Sequence, residues 1–182
     1  MMLNRRHTLV VLLSGFVLAA CGSAAAQTVP TAPAVPAGLT AYGFPKVMAT
    51  LKFKPGVAAT VSSGQLAVQI PADAFTEPVT FELLQGTPSY WQRYAPKGQT
   101  VVSDFAFRVL NSSGALVVNF NKPVLFVLTD PEVGATTVYE NATATKPPQV
   151  VPNPVPSEIQ GHVLKHSVSA AAVGWVVANP AA

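Results

Sequence analysis

Four groups of residues carry side chains whose type and spacing could do chemistry. Cys21 is the only thiol in the 182-residue chain, so it can join no internal disulfide. Tyr90-Trp91-Gln92-Arg93-Tyr94 gathers three aromatic rings and a cation between Gly86-Thr87-Pro88 and Pro96-Lys97-Gly98. Aromatic bodies with polar edges serve sugar and protein recognition, which makes Tyr90, Trp91, Arg93 and Tyr94 a candidate binding loop. The competing assignment is that these rings cap one end of a core. Glu158, His162 and His166 recur every four residues. On a helix they would share a face and could begin a metal site; on a strand the two histidine Cα atoms stand roughly 13 Å apart, too far for one ion. Asp73, Asp104 or Asp130 could join a histidine and a serine in a hydrolytic triad, but nothing local positions such a set. The sequence contains no G-x-S-x-G elbow, phosphate-binding glycine loop or H-E-x-x-H helix. The expectation is a non-enzymatic chain with no catalytic residue, no metal ligand set and no cofactor.

The elements that would hold these residues are strands. Leu66, Val68 and Ile70 alternate with Ala67 and Gln69; Val79, Phe81 and Leu83 alternate with Thr80 and Glu82; Phe105, Phe107 and Val109 alternate with Ala106 and Arg108. A period of two places one apolar face per strand against a core. Val124–Leu128 is apolar on both faces, as in a central or covered strand, and Pro123 opens it. Asn111-Ser112-Ser113-Gly114 predicts a hairpin turn. The fold expected is all-β: an immunoglobulin-like antiparallel β-sandwich of about seven to nine strands over residues 41–179. A Pro-rich piece at 146–156 is either a linker to a tail or a long loop before the last strands. The loop is preferred, with a returning hairpin after it, because Trp175 would otherwise be exposed.

The N-terminus has a different character. Arg5 and Arg6 precede Thr8–Ala20, thirteen uncharged and mostly aliphatic residues, which is the plan of a helical secretory signal over residues 1–20. A spanning helix needs about 20 apolar residues, so the run is too short for a permanent anchor. It ends in Leu18-Ala19-Ala20-Cys21-Gly22, which resembles the lipobox of bacterial lipoproteins. That resemblance implies cleavage before Cys21, a diacylglyceryl group on its sulfur, and often an amide-linked acyl chain such as palmitate. Two or more chains hold a protein firmly on a membrane. The alternative is cleavage after Ala24-Ala25-Ala26, which would release a soluble protein. Gly22–Gly38, rich in Ala and Pro and free of charge, reads as a disordered linker, so residues 21–40 form a lipidated cysteine and its tether. The lipoprotein resemblance further implies outer-membrane delivery, because Gly22 stands where an Asp favours inner-membrane retention in enteric bacteria. Without Arg5 and Arg6 the charge balance is nine basic to eight acidic side chains, and no basic cluster suggests nucleic acid as a partner.

A second resemblance lies in the domain. Gly64-Gln65-Leu66-Ala67-Val68-Gln69-Ile70-Pro71-Ala72-Asp73-Ala74-Phe75 looks like the strand and turn of the sandwich module of ankyrins, netrin receptors and tight-junction scaffolds. Phe120-Asn121-Lys122-Pro123-Val124 resembles that module's F-x-KPV motif. The likeness implies a fold and no function, since the animal proteins act through neighbouring domains. The function expected is that of a cell-envelope lipoprotein facing the periplasm or exterior. It would be a binding or structural module with a protein or glycan partner. A hydrolase or metal-dependent enzyme with an unrecognised site, and an accessory subunit of an envelope complex, are the alternatives.

Overall fold

The structure is a computed structural model, and it describes residues 38–181. Cys21, the signal segment and the tether up to Ala37 lie outside the described residues. A 3-10 turn at Thr40–Tyr42 precedes β1 (Lys46–Phe53), β2 (Ala59–Ser63), β3 (Leu66–Ile70) and β4 (Val79–Gln85). A single helical turn, α1 (Pro88–Trp91), leads to the long β5 (Gln99–Leu110) and β6 (Asn119–Thr129). The chain closes with β7 (Val138–Ala142), β8 (Val150–Pro152), β9 (Glu158–Gln160), β10 (Val163–Ala170) and β11 (Gly174–Pro180). Two antiparallel sheets result, in the orders β1-β4-β5-β11-β7-β8 and β2-β3-β6-β10-β9. The expected β-sandwich is therefore the fold.

Its core is an aromatic stack that joins the two sheets. Phe107 and Trp175, from the neighbouring strands β5 and β11 of the larger sheet, lie with centroids 4.9 Å apart and planes 15° apart. Phe126 of the smaller sheet meets Phe105 at 5.1 Å, Phe107 at 5.3 Å and Trp175 at 5.3 Å. The period-two pattern produces this directly: Phe105 and Phe107 point inward, while Ala106 and Arg108 point outward. On the outer face Arg108 Nε donates to Glu82 Oε2 at 2.7 Å, from the residue opposite it in the ladder.

The strand count and the sheets that two connections lead to differ from expectation. Among the described residues eleven strands form, because the stretch expected as a Pro-rich loop supplies β8, and a three-residue β9 follows it. β8 is an edge strand that ends on Pro152, where a missing N–H interrupts no ladder. Asn111–Gly114 is a turn: Asn111 Oδ1 accepts from the Ser113 and Ala115 N–H groups at 3.1 and 2.9 Å, and Gly114 takes φ +80°. It closes a local antiparallel reversal, in which Leu110 bridges Leu116 and the Asn111 and Val117 N–H groups donate to Ala115 O and Val109 O, both at 2.9 Å; beyond it the chain crosses, so that β5 and β6 lie in opposite sheets. The last two strands likewise separate, with β10 in the smaller sheet and β11 in the larger. The hairpin is β9–β10, and β11 crosses over to place Trp175, 1% exposed, in the middle of the core.

The IPADAF corner is tied to the F-N-K-P-V strand. Phe75 packs edge-on against Phe53 at 5.4 Å and Phe120 at 5.1 Å. Asn121 donates from its backbone N–H to Ala74 O and from Nδ2 to Asp73 O, both at 2.9 Å. Asp73 itself is exposed and contributes its carbonyl to this corner.

Candidate functional site

The aromatic loop and the segment Leu39–Phe44 form one structure on the outer face of the larger sheet. Alternation turns Asp104, Ala106, Gly174 and Val176 away from the core, yet all four are buried. Phe44, fully buried, covers them in part: a Cβ on Gly174 would overlap its ring, and a Cβ on Gly86 would overlap both Phe44 and the Asp104 carboxylate. Trp91 is 0% exposed and packs on Phe44 at 5.6 Å. Trp91 is thus a core residue of this second layer and leaves the candidate binding loop. A short Pro88–Trp91 turn amid turn-forming residues gave no periodic sign of burial.

Tyr90, Tyr94 and Arg93 stay at the surface. The two tyrosines are half-buried with centroids 5.4 Å apart, and the exposed Arg93 guanidinium stands 5.1 Å from the Tyr90 ring and 5.9 Å from the Tyr94 ring. Burial, followed by the neighbouring Tyr94, raises the pKa of the Tyr90 hydroxyl. It donates to Ala41 O at 3.3 Å, which fixes the loop to the N-terminal segment. Gly43 has φ +81°, and a Cβ there would stand 2.5 Å from Tyr90 Cδ1. Tyr42, half-buried, completes a ledge of three tyrosines and an arginine. Gly43→Ala should therefore destabilise the protein by about 1–3 kcal/mol, combining left-handed backbone strain with displacement of Tyr90. Chemical denaturation reads this directly, and an unchanged midpoint would show that the ledge is not held this way.

Beneath the ledge the electrostatics are unusual. Asp104 is 4% exposed, and its Oδ2 has no hydrogen-bond partner. Burial pushes its pKa up to about 7, against the opposing effect of backbone N–H groups of Thr87 and Asp104. Trp91 Nε1 in the same layer is also buried without a partner. A cleft of about 410 Å³ opens beside them at this end of the sandwich, lined by Gln65, Gln85, Ser103, Asp104, Leu128 and Asp130 among others.

The histidines lie on the far edge of the sheets. His166, 3% exposed on β10, stacks on Tyr139 of β7 at 4.0 Å across the interior. Its Nδ1 is 2.9 Å from Ser157 Oγ, and burial lowers its pKa, favouring the neutral ring. His162 occupies the β9–β10 turn with Nδ1 2.9 Å from Val133 O. Among the described residues no three of His, Cys, Asp and Glu are grouped to hold a metal ion. Ser157 and His166 bring a hydroxyl and an imidazole together, as a hydrolytic pair would. Of the carboxylates considered with it, Asp104 lies under Phe44, Asp73 in the IPADAF corner, and Asp130 Oδ1 accepts from Glu132 N–H at 2.8 Å.

Sequence reasoning missed Tyr42, Gly43 and Phe44 as partners of the loop. The Tyr-Gly-Phe-Pro run, a glycine between two rings, was the available signal. The described residues thus make a two-sheet antiparallel sandwich whose outer layer carries an aromatic, cationic ledge. No protein-family model matches the chain, and no curated protein matches it significantly.

Proposed function

We propose that this protein is a lipid-anchored lipoprotein of the bacterial cell envelope, whose sandwich is a non-enzymatic binding or structural module of the ankyrin and netrin-receptor type. The observation that carries the reading is Leu18-Ala19-Ala20-Cys21, placed directly after an uncharged, aliphatic run that follows Arg5 and Arg6. The contact between the IPADAF corner and the Phe120–Val124 strand supports the module assignment. Among the described residues no helix is long and apolar enough to cross a membrane; the attachment proposed is the lipid on Cys21. The histidines favour structural roles: His166 is closed in by Tyr139 on one face and Ser157 at Nδ1, and His162 ties the β9–β10 turn to Val133.

Cys21→Ala tests the anchor. In fractionated cells the wild-type protein should sediment with membranes and resist extraction by salt and carbonate. The variant should lose membrane association or accumulate as uncleaved precursor. A fully cleaved variant as membrane-bound as the wild type would contradict the proposal.

A further inference from the structure

We propose that the Tyr42–Tyr90–Tyr94–Arg93 ledge is a membrane-contacting surface, seated on the headgroups of the bilayer that holds the Cys21 lipid. The inference rests on the anchor reading and adds an orientation and a ligand class to it.

Three observations point the same way. The first is where the tether meets the domain. Leu39 is buried, and Tyr90 grips the adjoining backbone at Ala41 and Gly43. The tether therefore joins the domain at the ledge, with Tyr42 twenty-one residues after Cys21. The second is charge. No carboxylate precedes Asp73, and none lies between Glu82 and Asp104. Among the described residues this end exposes Lys46, Arg93 and Lys97 against Glu132 of the β6–β7 loop, while Asp104, Asp130 and Glu140 are buried. The exposed charge, three basic side chains to one acidic, suits anionic headgroups. The third is side-chain chemistry. Half-buried tyrosine rings, with the Tyr90 hydroxyl held on Ala41 O, beside an exposed arginine that can reach phosphate, suit the bilayer interface. The Tyr90 and Tyr94 rings pack on Trp91 at 5.3 and 6.0 Å, and Trp91 packs on Phe44, so the surface is preformed.

Because Cys21 is the only native cysteine, an added one is the sole free thiol in lipidated protein. Ser89→Cys marks the ledge, and Ser112→Cys marks the opposite end of β5; both sites are exposed. Each full-length, lipidated variant would carry an environment-sensitive fluorophore on phosphatidylethanolamine–phosphatidylglycerol vesicles containing a headgroup-region nitroxide lipid. Quenching should be several-fold stronger at position 89 than at 112. It should fall at least twofold in an R93E/K97E background, and likewise on phosphatidylcholine vesicles, while the protein still floats with the lipid. Equal quenching at both sites with flotation intact overturns the ledge and leaves the anchor standing. Failure to float, with Cys21 unmodified, overturns both. A response at position 89 to soluble peptidoglycan fragments but not to vesicles reassigns the surface to a glycan and overturns the membrane contact.

Discussion

Trp175→Ala should destabilise the protein by about 3–5 kcal/mol, as expected for emptying a fully buried indole site. The ring lies between the sheets, stacked on Phe107 and in contact with Phe126, so no single sheet can relax to fill the space. Domains of ordinary stability have roughly 5–15 kcal/mol in total, and the loss should bring a fall in melting temperature of roughly 10–15 °C. Trp175→Phe keeps a flat ring against Phe107 and should cost clearly less. Denaturant titration of the three proteins checks this. A loss below about 1 kcal/mol in the alanine variant would mean that Trp175 does not join the sheets.

Asp104→Asn should make the protein more stable, and more so as pH rises. A carboxyl moved from 3.8 unfolded to about 7 folded is neutral in both states below pH 4 and costs nothing there. Between these values the unfolded chain ionises first, so stability falls with rising pH until the folded carboxyl also ionises near 7. The full cost above that point is about 4 kcal/mol, and the advantage of the variant should widen by about 2.5 kcal/mol from pH 5 to pH 8. His166 acts in the opposite direction. Its lowered pKa gives stability that is present above pH 6.5 and lost as pH falls through the folded value. Both proteins retain His166, so their difference isolates Asp104. Parallel stability curves for the two proteins across this range would show that Asp104 is solvated.

The inner faces were legible in the sequence because period-two alternation survives wherever one face is buried. Phe105, Phe107 and Val109 declare their direction without reference to the rest of the chain. The sheet each strand joins was not legible: Asn111–Gly114 has ordinary turn chemistry, and turn chemistry specifies a reversal without specifying a partner. β8 and β9, at three residues each, are too short to show a period. The outer layer defeats the pattern in a different way. Asp104 and Glu140 occupy outward positions that normally mean solvent, yet they are 4% and 5% exposed. Glu140 Oε1 is met by Gln99 Nε2 at 3.4 Å, and its Oε2 has no partner. For Asp104 the covering groups, Phe44 and the start of α1, are distant in sequence, so no local window contained the information. The four residues of the candidate loop divide between a buried ring, Trp91, and a surface ledge of Tyr90, Arg93 and Tyr94.

Lipidation of Cys21 can be read from mass spectrometry of the mature N-terminus. The first peptide should begin at Cys21 and carry a thioether-linked diacylglyceryl group, with or without an amide-linked acyl chain. A mature protein that begins at Gln27, or one that begins at Cys21 with a free thiol, would contradict it.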